Sequence, residues 1–316
     1  MIIHVIGTVN GQVNEGMRNV ATYLTKGFKK ENTVLYSGLK QLSRVAVNSS
    51  KADVTMVFAR ANKQVYWLVR FVTVFCKDVW IVLVQKPDAN FMRLSAIKKL
   101  RCNYLSITQK DLDAAEVLPG YRKRLFSVGI CADKFKPVTL ERQRELKIKY
   151  CFDPALPLVL HVGHCSIGRG LEDFVKIHDA QRMVVASGMF ENKAVVKALQ
   201  DANVRIHKAY LENVEEVYQM ADAYLFPTRS LEYVISVPLS VTEALSCGVP
   251  VIGYRSFGCL NELAGEEGAV TLIDRAEDLN RVLPEVMAKK CGHSLLRNTD
   301  SWDAVASKVL KLIKEE

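Results

Sequence analysis

Short apolar runs alternate with longer amphipathic stretches along almost the whole chain. The first run, IIHVIG at 2–7, precedes a stretch in which Val20, Leu24 and Phe28 fall four apart, on one face of a helix. That pattern predicts a strand, a loop through Gly11, and a helix from about Glu15 to Lys30. Further strands are predicted at 33–37, 53–59, 79–84 and 104–107, with helices between them. The second half repeats the alternation. Strands are expected at 158–163, 182–188, 204–210, 223–227, 250–254 and 269–273, and helices at 171–180, 191–201 and 213–220. This is the pattern of an α/β protein with doubly wound parallel sheets, which bind ligands at the carboxyl ends of their strands.

At 316 residues and 49% hydrophobic content the chain can hold two cores of about 150 residues each. The opening MIIHVIG reads as a strand and lacks the basic segment of a signal peptide. The most apolar stretch, 65–84, is broken by Arg70, Lys77 and Asp78, which argues against a membrane span. The eight cysteines show no CxxC pair, so free thiols in a reducing cytoplasm are expected. The six histidines form no ligand cluster. Asp111-Leu112-Asp113 has the form of a metal-binding DxD, but it falls at a predicted helix start, where acidic residues favour the dipole. No metal is expected.

Charge is unevenly divided. Residues 1–140 carry 22 Lys and Arg against 9 Asp and Glu, leaving 21 basic and 25 acidic residues for the remainder. A basic first half suggests an anionic partner for that half alone. Neither spaced recognition aromatics nor a helix-turn-helix signature is present, so an anionic membrane surface is favoured over nucleic acid. In FMRLSAIKKLRC, 91–102, Phe91, Leu94, Ile97 and Leu100 can form an apolar stripe beside Arg93, Lys98, Lys99 and Arg101, as in an interfacial helix. A core-facing helix with a solvated basic side fits the same pattern.

Two tracts carry candidate chemistry. Gly163-His164-Cys165-Ser166-Ile167-Gly168-Arg169-Gly170 follows a predicted strand and opens a predicted helix. Glycines there permit close approach to phosphate, and a helix N-terminus adds amide donors. Read as a P-loop, the tract has Arg169 for lysine and Gly170 where a magnesium-binding hydroxyl belongs. A purely structural strand-to-helix turn is a second reading. The other tract is PLSVTEALSCGVPVIGYRSFGCLNE, 238–262. It reads as a helix carrying Glu243, a glycine stop at Gly248, a short buried strand opened by Pro250, and a second glycine turn.

The 238–262 tract resembles the donor-binding segment of retaining GT-B-fold glycosyltransferases of family 4, the glycosyl transferases group 1. HKAYLENVEEVYQMADAYLFPT at 207–228, FSVGICADKFKPV at 126–138 and the terminal NTDSWDAVASKVLKLIKEE are similar to further segments of that family. The resemblance implies two Rossmann-like domains facing each other across a cleft. One is an acceptor-side domain at 1–139, and the other a donor-binding domain at 140–298. The helix at 299–316 would cross back onto the first domain.

The implied partners are a UDP- or GDP-sugar donor and a glycan or lipid-linked acceptor. No cofactor is implied, since the nucleotide-sugar is a substrate. Arg169 takes the place of the family lysine that neutralises the donor diphosphate, and His164 that of its arginine, as a weaker, pH-dependent cation. Glu243 matches the second glutamate of the E-x7-E motif and would hold the ribose, its ionised form favoured by the helix N-terminus; Ile235 stands at the first. The backbone N–H groups of Ser236, Val237 and Leu239 would face the donor, and Tyr210 and Leu211, after Ala209, would lie against the base. Gly11 matches the first glycine of the family's donor-facing loop in the first domain. The family histidine after the fourth strand has no counterpart in Gln85-Lys86-Pro87-Asp88. Besides a retaining transferase, a non-catalytic nucleotide-sugar-binding protein and a GT-B epimerase stay open.

Overall fold

The computed structural model describes residues 1–9, 15–115, 117–186 and 191–315. They pack as two units. The first comprises Met1–Gly129, Ile235–Val237 and Asp300–Glu316, the second Ile130–Val234 and Pro238–Thr299. Each unit is built on a six-stranded parallel sheet.

In the first unit the strands are β1 (Ile2–Gly7), β2 (Thr33–Ser37), β3 (Val54–Phe58), β4 (Val79–Leu83), β5 (Asn103–Ser106) and β6 (Lys123–Leu125), in the order β2-β1-β3-β4-β5-β6. Every residue of β3 and β4 is buried, as expected of strands covered on both faces. The covering helices are α1 (Gly16–Phe28), α2 (Leu42–Lys51), α3 (Lys63–Val72), α4 (Ala89–Ile97), α5 (Gln109–Asp113) and, from the end of the chain, α11 (Trp302–Lys314). Helix α11 lies on α1. A Cβ on Gly27 would come within 2.3 Å of the Ala306 methyl, and Tyr23 stacks on Trp302 at 5.0 Å between ring centres.

Several expectations change here. Strand β6 carries no sequence signal, because YRKRLF, 121–126, has no apolar alternation; it is a basic edge strand. The stripe expected on 91–102 is mostly covered. Phe91 and Leu100 are core residues and Leu94 packs against them, leaving Ile97 as its exposed member at 79%. The Asp111-Leu112-Asp113 carboxylates do not converge: Asp111 is buried and Asp113 accepts from Gln109 at the surface. The expected boundary after 139 also falls late, since Ile130 and Phe135 pack in the second core and Ser246 Oγ donates to the Phe135 carbonyl.

In the second unit the strands are β7 (Leu158–Gly163), β8 (Gln181–Ala186), β9 (Arg205–His207), β10 (Ala223–Phe226), β11 (Val251–Tyr254) and β12 (Val270–Ile273), ordered β12-β11-β10-β7-β8-β9. The helices are α6 (Leu140–Lys149), α7 (Lys193–Asp201), α8 (Glu215–Met220), α9 (Leu239–Ser246) and α10 (Leu279–Met287). The helix expected at 171–180 is a short 3-10 helix, Leu171–Lys176, after which Ile177 turns into the core. Gly248 ends α9 with φ +68°, and a Cβ there would meet the Cys291 carbonyl oxygen at 2.4 Å. Only glycine fits that position.

Candidate functional site

The strand order of the second sheet reverses between β7 and β10, and parallel sheets bind ligands at such a point. There the two strands pair only through Ala223–Val159 and Tyr224–Leu160, then part. Side chains bridge the gap beyond. His161 Nδ1 donates to the Leu225 carbonyl at 3.0 Å, and the Tyr224 hydroxyl donates to the Val162 carbonyl at 3.2 Å. Both groups are buried.

The Gly163–Gly170 segment leaves β7 beside this gap. Arg169 is only 7% exposed, and its Nε has no partner among the described residues. Burial lowers its pKa, yet a guanidinium remains charged at any working pH. Its carbonyl accepts from Thr228 Oγ1 at 3.4 Å, at the end of β10. Gly170 adopts φ +74°, and a Cβ there would lie 2.3 Å from the Pro227 carbonyl oxygen. The turn is therefore pressed against the β10 terminus, and a side chain at 170 would push it away.

A buried network supports this turn. Asp173, 1% exposed, accepts from Arg229 Nη2 through both carboxylate oxygens, at 2.9 and 2.7 Å. The Tyr254 hydroxyl at the end of β11 donates to Asp173 Oδ2 at 2.6 Å, and the Arg229 guanidinium lies 4.0 Å from the Tyr254 ring centre. Nothing in the spacing of these residues marks them. They meet because the 3-10 helix begins where β10 and β11 end.

His164 requires a correction. Burial, reinforced by the nearby Arg169 charge, pushes its pKa down to about 4, so it is neutral at neutral pH rather than a second cation. Glu243 requires one too. It is the fifth residue of α9, too far along for the helix N-terminus to favour its charge. Burial raises its pKa to about 7, against the opposing effects of the Tyr218 hydrogen bond and Lys134. Tyr218 donates to Glu243 Oε2 at 2.7 Å, leaving Oε1 for another donor.

The amides are divided. Ser236 N–H donates to the Val84 carbonyl at 2.8 Å within the first unit, so it is not available to a ligand as expected. Val237 also packs with that unit, and its side chain is buried. Leu239 opens α9, where the first N–H groups have no intrahelical acceptor. Tyr210 and Leu211 follow the edge strand β9. Tyr210 is half exposed, and Leu211 packs against the core. Gly11 lies outside the described residues. Glu266, Cys291 and His293 bring three metal-capable atoms within 4.8 Å of one another, a grouping that only the Cys-x-His spacing could have suggested. No helix among the described residues is long and apolar enough to cross a membrane.

Two six-stranded parallel sheets of this kind define a GT-B fold. Over 100% of this chain and 99% of the other, the structure superposes with a TM-score of 0.79 on Anabaena Alr3699/HepE solved with UDP and glucose, at 9% identity. Residues 166–315, just under half of the chain, match the model of the family described as Glycosyl transferases group 1. The sulfoquinovosyl transferase SQD2 of Arabidopsis thaliana is 28% identical over 156 residues, 47% of this chain and 29% of that protein. The N,N'-diacetylbacillosaminyl-diphospho-undecaprenol alpha-1,3-N-acetylgalactosaminyltransferase of Campylobacter jejuni is 26% identical over 162 residues, 49% of this chain and 42% of that protein. The match thus spans less than half the length of either curated relative.

Proposed function

We propose that the chain is a retaining glycosyltransferase that moves a sugar from a UDP- or GDP-sugar to a glycan or lipid-linked acceptor. The observation that carries this is the buried Arg169 guanidinium on a glycine turn at the β7–β10 switch point. A diphosphate set there meets a fixed cation in a poorly hydrated place, where Coulombic attraction is strong. The leaving diphosphate gains charge as the glycosidic bond breaks, and Arg169 stabilises that charge without having to move. In a retaining transfer the same diphosphate helps deprotonate the acceptor hydroxyl on the face it leaves. No protein nucleophile is required.

Glu243 holds the ribose in this reading. Oε1 accepts from the vicinal hydroxyls while Tyr218 fixes Oε2. Those added donors favour the carboxylate, so nucleotide binding draws a proton off Glu243. The named ligand of the Anabaena structure supports UDP as a candidate, and the Campylobacter relative's name supports a lipid-linked acceptor.

An anionic membrane surface is the proposed partner of the basic first unit, in the cytoplasm. The apolar residues available to it lie along and beyond α3: Trp67 is 53% exposed and Val74 76%. Ile97 is close by, since Tyr66 donates to the Lys98 carbonyl at 2.7 Å and its ring meets Trp67 edge-on at 5.3 Å. Arg70 covers the Trp67 ring at 5.6 Å, and Lys98 and Lys99 follow Ile97. An aromatic ring among cations suits the bilayer interface.

One observation favours a second reading, a nucleotide-sugar-binding protein without turnover. Ile235, at the position of the expected sugar-contacting glutamate, is buried against Gly16, where a Cβ would lie 2.8 Å from its Cδ1. An assay of nucleotide release from a panel of UDP- and GDP-sugars, beside calorimetric binding, separates the two. Release above the rate of the uncatalysed control supports the transferase. Binding without release supports the second reading.

A further inference from the structure

His161 lies in the middle of β7, fully buried, and the Leu225 carbonyl fixes which of its nitrogens carries the proton. A carbonyl only accepts, so Nδ1 is the donor and Nε2 bears a lone pair. Burial and the Arg169 charge both resist a second proton, pushing the pKa to about 3. Where the lone pair points is set by Gly163, two residues on and on the same strand face. A Cβ at Gly163 would lie 2.8 Å from His161 Nε2 and 3.6 Å from Arg169 Nη2. Both nitrogens therefore border one notch that glycine leaves open.

Within that notch the groups are complementary. Among the described residues His161 Nε2 is a buried acceptor without a partner, and Arg169 Nε a buried donor without one. Leaving either unpaired is costly, and a hydrogen bond between the two side chains would relieve that cost. The imidazole cannot swing in turn. It is stacked at 5.9 Å on Tyr224, edge-on to Phe174 at 6.3 Å, and bonded to Leu225.

We infer that His161 is a positioning residue: its Nε2 accepts an N–H of Arg169 and aims the guanidinium at the donor diphosphate. The inference rests on the reading of Arg169 as the diphosphate cation. It also explains why a histidine occupies a strand position where any apolar residue would pack. A neutral imidazole is suited to the task, because a charged one would repel the group it orients.

The test compares nucleoside diphosphate with nucleoside, UDP with uridine and GDP with guanosine, by calorimetry. The ratio of the two affinities isolates the diphosphate contact. UDP and GDP are apt probes because each carries the charge of the departed leaving group. His161→Leu is expected to lower the ratio by about tenfold, the loss of one hydrogen bond to a charged group, with nucleoside affinity unchanged. His161→Gln, which keeps an acceptor, is expected to recover most of that loss. In an Arg169→Ala background, His161→Leu should have no further effect on the ratio. A merely structural role would weaken nucleoside and diphosphate alike, and its effect would add to that of Arg169→Ala.

Four outcomes decide. A ratio lowered by Arg169→Ala, lowered by His161→Leu and restored by His161→Gln supports the inference. Loss with Arg169→Ala but not with His161→Leu overturns the inference and leaves the diphosphate cation in place. Additive losses also overturn it. An unchanged ratio in Arg169→Ala, or no binding of either diphosphate, removes the reading on which the inference stands.

Discussion

Tyr218 donates its phenol proton to Oε2 of Glu243 across 2.7 Å, and so ties α8 to α9 beneath the second sheet's strand ends. The donor is itself held fast, edge-on to Phe135 at 5.8 Å and beside Tyr224 at 5.8 Å. One oxygen of Glu243 is thus held by Tyr218, and in the proposed reading the other meets the ribose. The carboxyl also sits where its charge is disfavoured.

That placement sets stability against binding. The pKa of Glu243 is raised from an ordinary 4.5 to about 7, so the folded protein keeps a proton that the unfolded chain releases. Stability therefore falls as pH rises from 4.5 to 7 and stays low above it. Glu243→Gln keeps an acceptor for Tyr218 and has no charge to bury. We expect it to be more stable than the parent by about 1–3 kcal/mol at pH 8, allowing for partial exposure, and to lose the advantage near pH 4. UDP or GDP affinity should fall by about 1.5–3 kcal/mol, most clearly at pH 8. Denaturation midpoints and calorimetry at the two pH values check both halves. A variant no more stable at pH 8 would show that the carboxylate is well solvated.

Two glycines with similar backbone angles should respond differently to a methyl group. Gly170 has φ +74° and a Cβ there would be 2.3 Å from the Pro227 carbonyl, whereas Gly120 has φ +83° and nothing within 4 Å. Gly120→Ala is expected to cost about 1 kcal/mol, the left-handed backbone penalty alone. Gly170→Ala is expected to cost about 2–4 kcal/mol and to weaken UDP or GDP binding, because the turn bearing Arg169 must move. Equal denaturation midpoints for the two variants would mean that the 170 turn yields easily.

The sheets were legible because parallel strands buried on both faces read as apolar runs, and β3, β4 and β10 are buried throughout. Edges were less so. Strand β6 is written in lysine and arginine, and its existence depends on β5 beside it. A helix-period stripe says that a face is apolar and not what covers it, which is why Phe91 and Leu100 proved to be core. At the site, Arg169 and Glu243 were visible as motif positions. The electrostatic state of His164 and Glu243 was not, since burial decides it. His161 and the Asp173–Arg229–Tyr254 network left no local mark, because each depends on where separate strands end.

Membrane association should follow charge and then the exposed aromatic. Sedimentation with anionic liposomes is expected to exceed that with neutral ones and to decline across a salt series, as screening shortens the reach of surface charge. Trp67→Ser and Ile97→Ser should each weaken binding to anionic liposomes by about tenfold or less while leaving far-ultraviolet circular dichroism unchanged, since both side chains are exposed. Binding that is absent, or equal for the two lipids, rules out the anionic surface. Binding indifferent to both substitutions moves the contact elsewhere on the first unit.

Arg169 is expected to act mainly on the transition state, with no divalent metal required. The bound donor carries its diphosphate as an ester at both ends, and the leaving group gains a charge as the sugar departs. A cation already buried at that point stabilises the later state more than the earlier one. Arg169→Ala should therefore lower kcat by about a hundredfold or more, as loss of a preorganised charge contact does, while KM for the donor changes far less. Arg169→Lys should recover part of the loss, because the charge returns without the planar fork. Activity should persist in EDTA. The Asp111-Leu112-Asp113 carboxylates do not converge, and in the proposed reading Arg169 would supply the charge that a metal would otherwise bring. A change in KM alone would make Arg169 a ground-state binding residue. Loss of turnover in EDTA, restored by magnesium or manganese, would overturn the metal-free mechanism. Zinc-specific rescue would point instead to Glu266, Cys291 and His293, the grouping of thiolate, imidazole and carboxylate that suits that ion.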